Sequence, residues 1–276
     1  MMPEDGRFSD GLAQTRLQRA AGRAEVTLEH RRGATRIAGL HQSGSAKAFL
    51  PDMNGGTPEA VFLNTAGGLT GGDSLRFALT LGPGTQAVGT TQTAERAYAS
   101  AAGRARMEVA LNLGEGAALD WLPQETILFD RSALARRTVA DLGPGARLLM
   151  AEMVVLGRAA MGETVARVQF SDWREVRRAG VPVLVEPLRL TDASMPGGPA
   201  GLDGARAVAT IALVAPGAED ALDRARAVLP EGAAASAWDG RLVVRLTGPD
   251  LVPVKQAVAR VLTELRGADL PRVWQM

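Results

Sequence analysis

Cysteine is absent from the 276-residue chain. That removes disulfides, thiolate zinc sites and cysteine nucleophiles together. Histidine is nearly absent: His30 and His41 are the two, both in an early Arg-rich stretch. A stable transition-metal site would have to lean on carboxylates, which suit harder ions. Lysine is scarce as well, with Lys47 and Lys255 the only two, so nearly every cation is Arg. Beside abundant Ala and Gly, this reads as codon bias. Long apolar runs are missing, since LLMAEMVVLG and ATIALVAPGA are too short to cross a bilayer. The start, MMPEDGRFSDG, is acidic with no apolar segment, so no signal peptide is expected. A net charge of +1 creates no field for nucleic acid or anionic membrane. A soluble, cytoplasmic protein is expected.

What is present is ordinary globular composition, 46% hydrophobic and 22% charged. Alternation dominates the first two-thirds. In RMEVALNLG, Met107, Val109, Leu111 and Leu113 point one way and Arg106, Glu108, Ala110 and Asn112 the other. That period of two predicts a half-buried strand. AEVTLEHR, ALDWLP, TILF, RVQFSDW, VPVLVEPLRL and RLVVRL extend the series, punctuated by Gly82-Pro83-Gly84, Gly114-Glu115-Gly116 and Gly143-Pro144-Gly145. Helical spacing comes late. EDALDRARAVLP places Leu222, Ala225, Val228 and Leu229 on one face before Pro230. PVKQAVARVLTELRG does so with Val254, Val258, Val261, Leu262 and Leu265, leaving Lys255, Arg260 and Glu264 outside the stripe. Pro253 near its start and Gly267 past its end suit helix termini. With no βαβ rhythm the chain is not doubly wound. No internal repeat or linker stands out, and residues 196–207 read as a loop.

The densest glycine cluster is FLNTAGGLTGGDSL, residues 62–75. It approaches the P-loop spacing but carries Asp73 where a phosphate-binding lysine is required. A carboxylate there repels a triphosphate, and the following LRFALTLG alternates like a strand rather than a helix. The remaining reading is that the glycines supply positive φ or close backbone approach. The GxGxxG, GxSxG and HExxH signatures are absent. Glu115, Asp120, Glu125 and Asp130 could compose a glycosidase pair only at separations that sequence does not reveal.

Six segments go beyond strand patterning: LNTAGGLTGGD (63–73), TTQTAERAYAS (90–100), WLPQETILFD (121–130), LGRAAMGE (156–163), VEPLRL (185–190) and PRVW (271–274). In this order they resemble the urease accessory protein UreD family, also called UreH, from about residue 25 to the end. The first three are the specific ones. Ala99, where the family often carries Arg, and Pro187, inside a motif usually read E-A-L-R, are departures.

The resemblance implies a mainly β fold of sheets wound as a helix-like stack, with two helices toward the C-terminus. It implies one UreD-like domain over 1–276, with 1–20 a loosely ordered leading segment. It further implies a non-enzymatic maturation chaperone that binds apo-urease and UreF, and through UreF the GTPase UreG, to insert nickel. No cofactor would be held tightly, and nickel(II) would only be in transit. Carried over residue by residue, Asp73, Thr91, Glu95, Glu125, Asp130, Glu163 and Glu186 become candidates for a polar nickel path or for partner contacts. Sparse oxygen ligands bind a divalent cation weakly and release it. The alternative for each is a buried pairing with arginines such as Arg96, Arg131 and Arg158. The competing functions are a β-rich hydrolase using paired carboxylates and a stand-alone ligand-binding module.

Overall fold

The structure is a computed structural model that describes residues 18–51, 56–195, 198 and 201–275. The expected leading segment lies outside the described residues up to residue 17, as do 196, 197, 199 and 200 of the expected loop.

A hairpin of β1 (Ala21–Arg31) and β2 (Ala34–Gly44) opens the described chain, followed by β3 (Ala46–Phe49). The chain then winds in successive coils. The first joins β4 (Glu59–Asn64) to β5 (Ser74–Leu81), and the second runs β6 (Gln86–Thr91), β7 (Glu95–Ala97) and β8 (Ala105–Leu113). The third is β9 (Ala118–Leu122), β10 (Thr126–Leu128) and β11 (Ser132–Leu142), and the fourth is β12 (Arg147–Leu156) with β13 (Val168–Arg178). An antiparallel hairpin to β14 (Val181–Thr191) ends the winding. Then come β15 (Ala207–Val214), α1 (Leu222–Ala227), β16 (Ala234–Trp238), β17 (Arg241–Gly248) and α2 (Leu251–Arg266).

Coil stacks on coil because equivalent strands pair in parallel. The seven-stranded sheet runs β14-β13-β11-β8-β5-β1-β2 and the ten-stranded sheet β16-β17-β15-β12-β9-β6-β4-β3, with β10 joined to both β12 and β7. The result is a β-solenoid-like stack of the two sheets. Three short glycine turns, at 82–84, 114–116 and 143–145, lie one above the next at one end. The Gly84 N–H donates to the Glu115 carbonyl and the Gly116 N–H to the Pro144 carbonyl, both at 2.8 Å. Between the sheets Phe62 stacks on Phe77 at 5.0 Å and on Trp121 at 5.8 Å between centroids.

The other face of the larger sheet is covered by the late helices. Val254, Val258, Val261, Leu262 and Leu265 are buried as the spacing predicts, against Leu149, Ile211 and Val244. Asp250 caps α2 by accepting the Val252 N–H, and Gly267 closes it with φ +62°. The first late helix is shorter than its periodic stretch: a 3-10 turn precedes α1, and Val228 and Leu229 lie beyond it. Lys255 departs from expectation, being half-buried in an ion pair with Glu125 at 2.9 Å. Pro187 fits because β14 is an edge strand, where a missing N–H leaves no ladder bond unmade.

Candidate functional site

The four motif-bearing segments at 63–73, 90–100, 121–130 and 156–163 lie side by side as rungs at the end of the stack opposite the glycine turns. The Leu69 N–H donates to the Arg96 carbonyl at 2.7 Å and the Tyr98 N–H to the Leu69 carbonyl at 2.8 Å. Phe129 N–H reaches the Ala97 carbonyl at 3.0 Å, and Gly157 N–H the Leu128 carbonyl at 2.8 Å. The glycines permit this contact. A Cβ on Gly68 would stand 2.4 Å from the Tyr98 ring, and one on Gly71 2.0 Å from Ser100 Oγ. Close approach at Gly68 and Gly71, and positive φ at Gly67 (+76°) and Gly72 (+92°), account for the cluster.

Asp73 is a peg in the same loop. Buried, it accepts the Ala20 N–H at Oδ1 and the Thr70 N–H at Oδ2, each at 2.8 Å. Two other candidates cooperate nearby. Asp130 accepts the N–H groups of Ala166 and Arg167 at 2.9 Å, and the Arg167 amide leads in holding its carboxyl below the usual range. Glu163 receives the Asp130 N–H at 3.1 Å and the Arg158 guanidinium at 2.8 Å. Burial would raise the Glu163 carboxyl, but these donors outweigh it and leave it lowered.

Thr91, Glu95 and Glu125 form a second group. Thr91 Oγ1 accepts the Gln124 N–H at 2.9 Å, and the Glu95 N–H donates to the Glu125 carbonyl at 3.0 Å. Glu125 and Gln124 both hold Lys255 of α2, whose ammonium lies 5.6 Å from the Trp274 ring centre. Trp274 in turn donates to the Leu122 carbonyl at 2.9 Å, so the PRVW segment is clamped onto WLPQET. Glu95 differs from its neighbours. It borders a cavity of about 20 Å³ with Asn64, Thr91 and Thr93, and its hydrogen-bonding partner is the Asn64 amide at 3.1 Å. Burial pushes its carboxyl up to about 7, against the opposing Asn64 bond. Glu186 stands apart on β14, paired with Arg245.

The seven candidates therefore do not converge. Among the described residues no three His, Cys, Asp or Glu side chains are placed to share a metal ion. Three of the four hydrolase carboxylates, Asp120, Glu125 and Asp130, are likewise committed to partners within the protein. Asp120 lies between Arg147 and Arg266, each at 2.7 Å, while Glu115 is exposed in a turn. The arginines expected in buried networks are not buried: Arg158 and Arg131 are exposed, and Arg96 reaches the Gly67 carbonyl.

The buried network is elsewhere, on residues outside the seven candidates. Arg136 of β11, 3% exposed in its side chain, binds both Asp172 oxygens at 2.9 and 2.6 Å and Thr126 Oγ1 at 2.9 Å. Its Nη1 is 2.7 Å from Glu152 Oε2, out of line for a hydrogen bond, so that contact is purely electrostatic. Arg174 stands 3.3 Å from Asp172, and Trp121 Nε1 donates to Glu152 at 3.4 Å. Burial lifts the Glu152 carboxyl above its ordinary range, with Arg136 opposing. A signal was available. Arg136 occupies the inward phase of β11 with Leu134, Thr138 and Ala140, and Asp172 and Arg174 the inward phase of β13.

No helix among the described residues is long and apolar enough to cross a membrane. The profile of the family described as UreD urease accessory protein matches residues 20–275. The chain is similar to urease accessory proteins named UreD from Cereibacter sphaeroides, 60% identical with 94% of this chain and 96% of the relative covered, and from Dinoroseobacter shibae, 56% identical over 95% and 94%. A third from Paracoccus denitrificans is 50% identical over 98% of both chains. The rung-forming segments and this end-to-end likeness lead to one conclusion: the chain belongs to the UreD urease accessory protein family.

Proposed function

We propose that this protein is a non-catalytic maturation chaperone for urease in the cytoplasm. It binds the urease apoprotein and UreF, and through UreF the GTPase UreG, so that nickel enters the urease active site. The observation that carries this reading is likeness to UreD proteins over nearly the whole chain, at identities up to 60%. The committed state of Asp120, Glu125 and Asp130, which leaves Glu115 without a second carboxylate to work with, supports a scaffold over a hydrolase, because a general acid must be free to exchange a proton with substrate. Nickel is cargo here, passed through weak oxygen contacts and not stored.

Five of the seven path candidates differ in what their side chains bond, and this supports different roles for them. Asp73, Asp130 and Glu163 hold backbone N–H groups, so replacing them perturbs loops first. Glu95 with Thr91 is the better transit candidate, since it borders a cavity and no Lys or Arg side chain bonds its carboxylate.

Deleting the gene in its host should leave urease subunits present but nearly inactive, with excess nickel rescuing them poorly. Glu95→Gln should lower the nickel content of urease while the variant still folds and co-purifies with urease. Full urease activity in the deletion strain at ordinary nickel levels refutes the assignment. Normal nickel content with Glu95→Gln removes Glu95 from the path.

A further inference from the structure

The rung-bearing end of the stack carries a groove of about 540 Å³. Three exposed arginines line it: Arg104 before β8, Arg131 before β11 and Arg167 before β13. They come from three successive layers of the smaller sheet. Adjacent strands lie ~4.8 Å apart, so the three guanidiniums span on the order of 10 Å.

All three are exposed to solvent. Arg104 reaches the Gln169 amide oxygen at 3.4 Å, and Arg131 is 3.7 Å from Asp130 with its side chain 63% exposed. Two acids stand nearby: Asp130 holds the Ala166 and Arg167 amides, and Asp192, exposed and itself lining the groove, holds the Val168 amide at 2.8 Å, which leaves the arginines in excess. Buried Ser132, which also lines the groove, has a hydroxyl without a hydrogen-bond partner.

Backbone strain marks the central arginine. Arg131 has φ +62°, where L residues are disfavoured. The other described non-glycine residues at positive φ are Arg32, Ala179, Asp203 and Asp239, and each precedes a glycine also at positive φ. Such pairs suit two-residue turns. Arg131 instead precedes Ser132, the first residue of β11. Its backbone bonds the neighbouring rungs on both sides, donating to the Arg167 carbonyl at 2.8 Å and accepting from Ser100 N–H at 2.9 Å. Strain held in place by surrounding structure is a pointer to function.

We propose that this groove docks an extended acidic segment of a partner protein, its Asp and Glu side chains meeting Arg104, Arg131 and Arg167. Alternate side chains of an extended strand recur every ~6.7 Å, so three of them cover the span of the arginines. Guanidinium suits carboxylate through paired donors. An acidic protein segment fits better than single-stranded nucleic acid, which needs aromatic faces for its bases. The groove has none. Which protein carries the segment is a separate matter, and binding here is measured on this chain alone, so its failure leaves the maturation reading standing.

The test is fluorescence anisotropy of a labelled decaglutamate peptide titrated with the full chain at low salt. Saturable binding below about 1 mM is expected, weakening as salt is raised. Arg131→Gly relieves the backbone while deleting the guanidinium, so the variant should melt no lower than the parent yet bind several-fold more weakly. Adding Arg104→Ala and Arg167→Ala should abolish binding, whereas Arg36→Ala on the distant strand β2 should leave it unchanged. The proposal is overturned by absence of saturable binding, by full binding in the triple variant, or by equal loss with Arg36→Ala. Tighter binding of a decauridylate than of decaglutamate overturns it also.

Discussion

Replacing Arg136 with Met removes a buried cation from between two carboxylates, and the consequence should depend on pH. Three of its contacts disappear from acids: two to Asp172 and one to Glu152. Asp172 keeps Arg174 at 3.3 Å, but Glu152 keeps only the Trp121 N–H at 3.4 Å. Breaking a buried pair from one side costs about 3–5 kcal/mol. Protonation limits that cost. A buried carboxyl can take a proton at about 1.4 kcal/mol per pH unit above its ordinary value, which for glutamate is 4.5. The penalty from Glu152 is therefore capped near 4 kcal/mol at about pH 7.5 and near 1.4 kcal/mol at about pH 5.5.

The sign follows from the direction of the shift. In the variant the folded carboxyl lies above its unfolded value, so its protonated form favours folding. That stability is present at low pH and is lost as pH rises toward the folded value. Denaturant titration of parent and Arg136→Met at both pH values should give a larger gap at the higher pH, by at most about 2.7 kcal/mol, because Glu152 is already raised in the parent and carries part of the same dependence. Adding Glu152→Gln should remove most of that difference. A gap below about 1 kcal/mol at neutral pH, or one equal at both, refutes the view that Arg136 neutralises buried charge.

Glu95→Gln should act in the opposite sense, stabilising the protein. The parent loses stability between pH 4.5 and about 7 as the Glu95 carboxyl ionises, so the variant should lead by on the order of 2 kcal/mol at alkaline pH after allowance for partial exposure, and by nothing below 4.5; a constant difference across pH counts against it. Leu262→Asp puts a carboxylate where the side chain is 0% exposed and should cost about 4 kcal/mol or more in denaturant melts; a loss under 1 kcal/mol would make α2 a detachable face. Gly71→Ala drives a methyl to 2.2 Å from the Ala102 carbonyl and should cost about 3 kcal/mol, against about 1 for Gly84→Ala, which has open space at φ +64°; equal melting temperatures would refute the close-packed loop.

Strand periodicity was legible because each coil strand has one face toward the interior. Met107, Val109, Leu111 and Leu113 are all buried, as their alternation requires. The stripe on α2 was legible for the same reason at helical period. The coil repeat was not. Its trace is a four-residue turn beginning with glycine at 82, 114 and 143, but rungs of different length separate the turns. Parallel pairing aligns strands across about thirty residues, and no local pattern encodes a partner so distant. Glu152 was hidden for a different reason. Strand β12 is buried on both faces, by the second sheet and by the helices, so its sequence LLMAEMVVL runs apolar without a phase.

The in-register stack also explains why charge sits in this core. Parallel register aligns Leu75, Met107, Arg136 and Asp172 as one inward row, and Phe77, Val109, Thr138 and Arg174 as the next. Each row begins apolar and becomes charged at the third or fourth strand. A solenoid of identical apolar rungs would permit slippage of one strand by two residues, because every side chain would still find an apolar neighbour. Slipping β11 against β13 by two places would set Thr138 or Leu134 beside Asp172 and leave Arg136 without its carboxylate. The penalty for that misalignment is the same several kcal/mol that Arg136→Met exposes. The ion network therefore favours the observed register of β11 against β13 over its two-residue slips, and with it the alignment of the two rungs that lead into those strands.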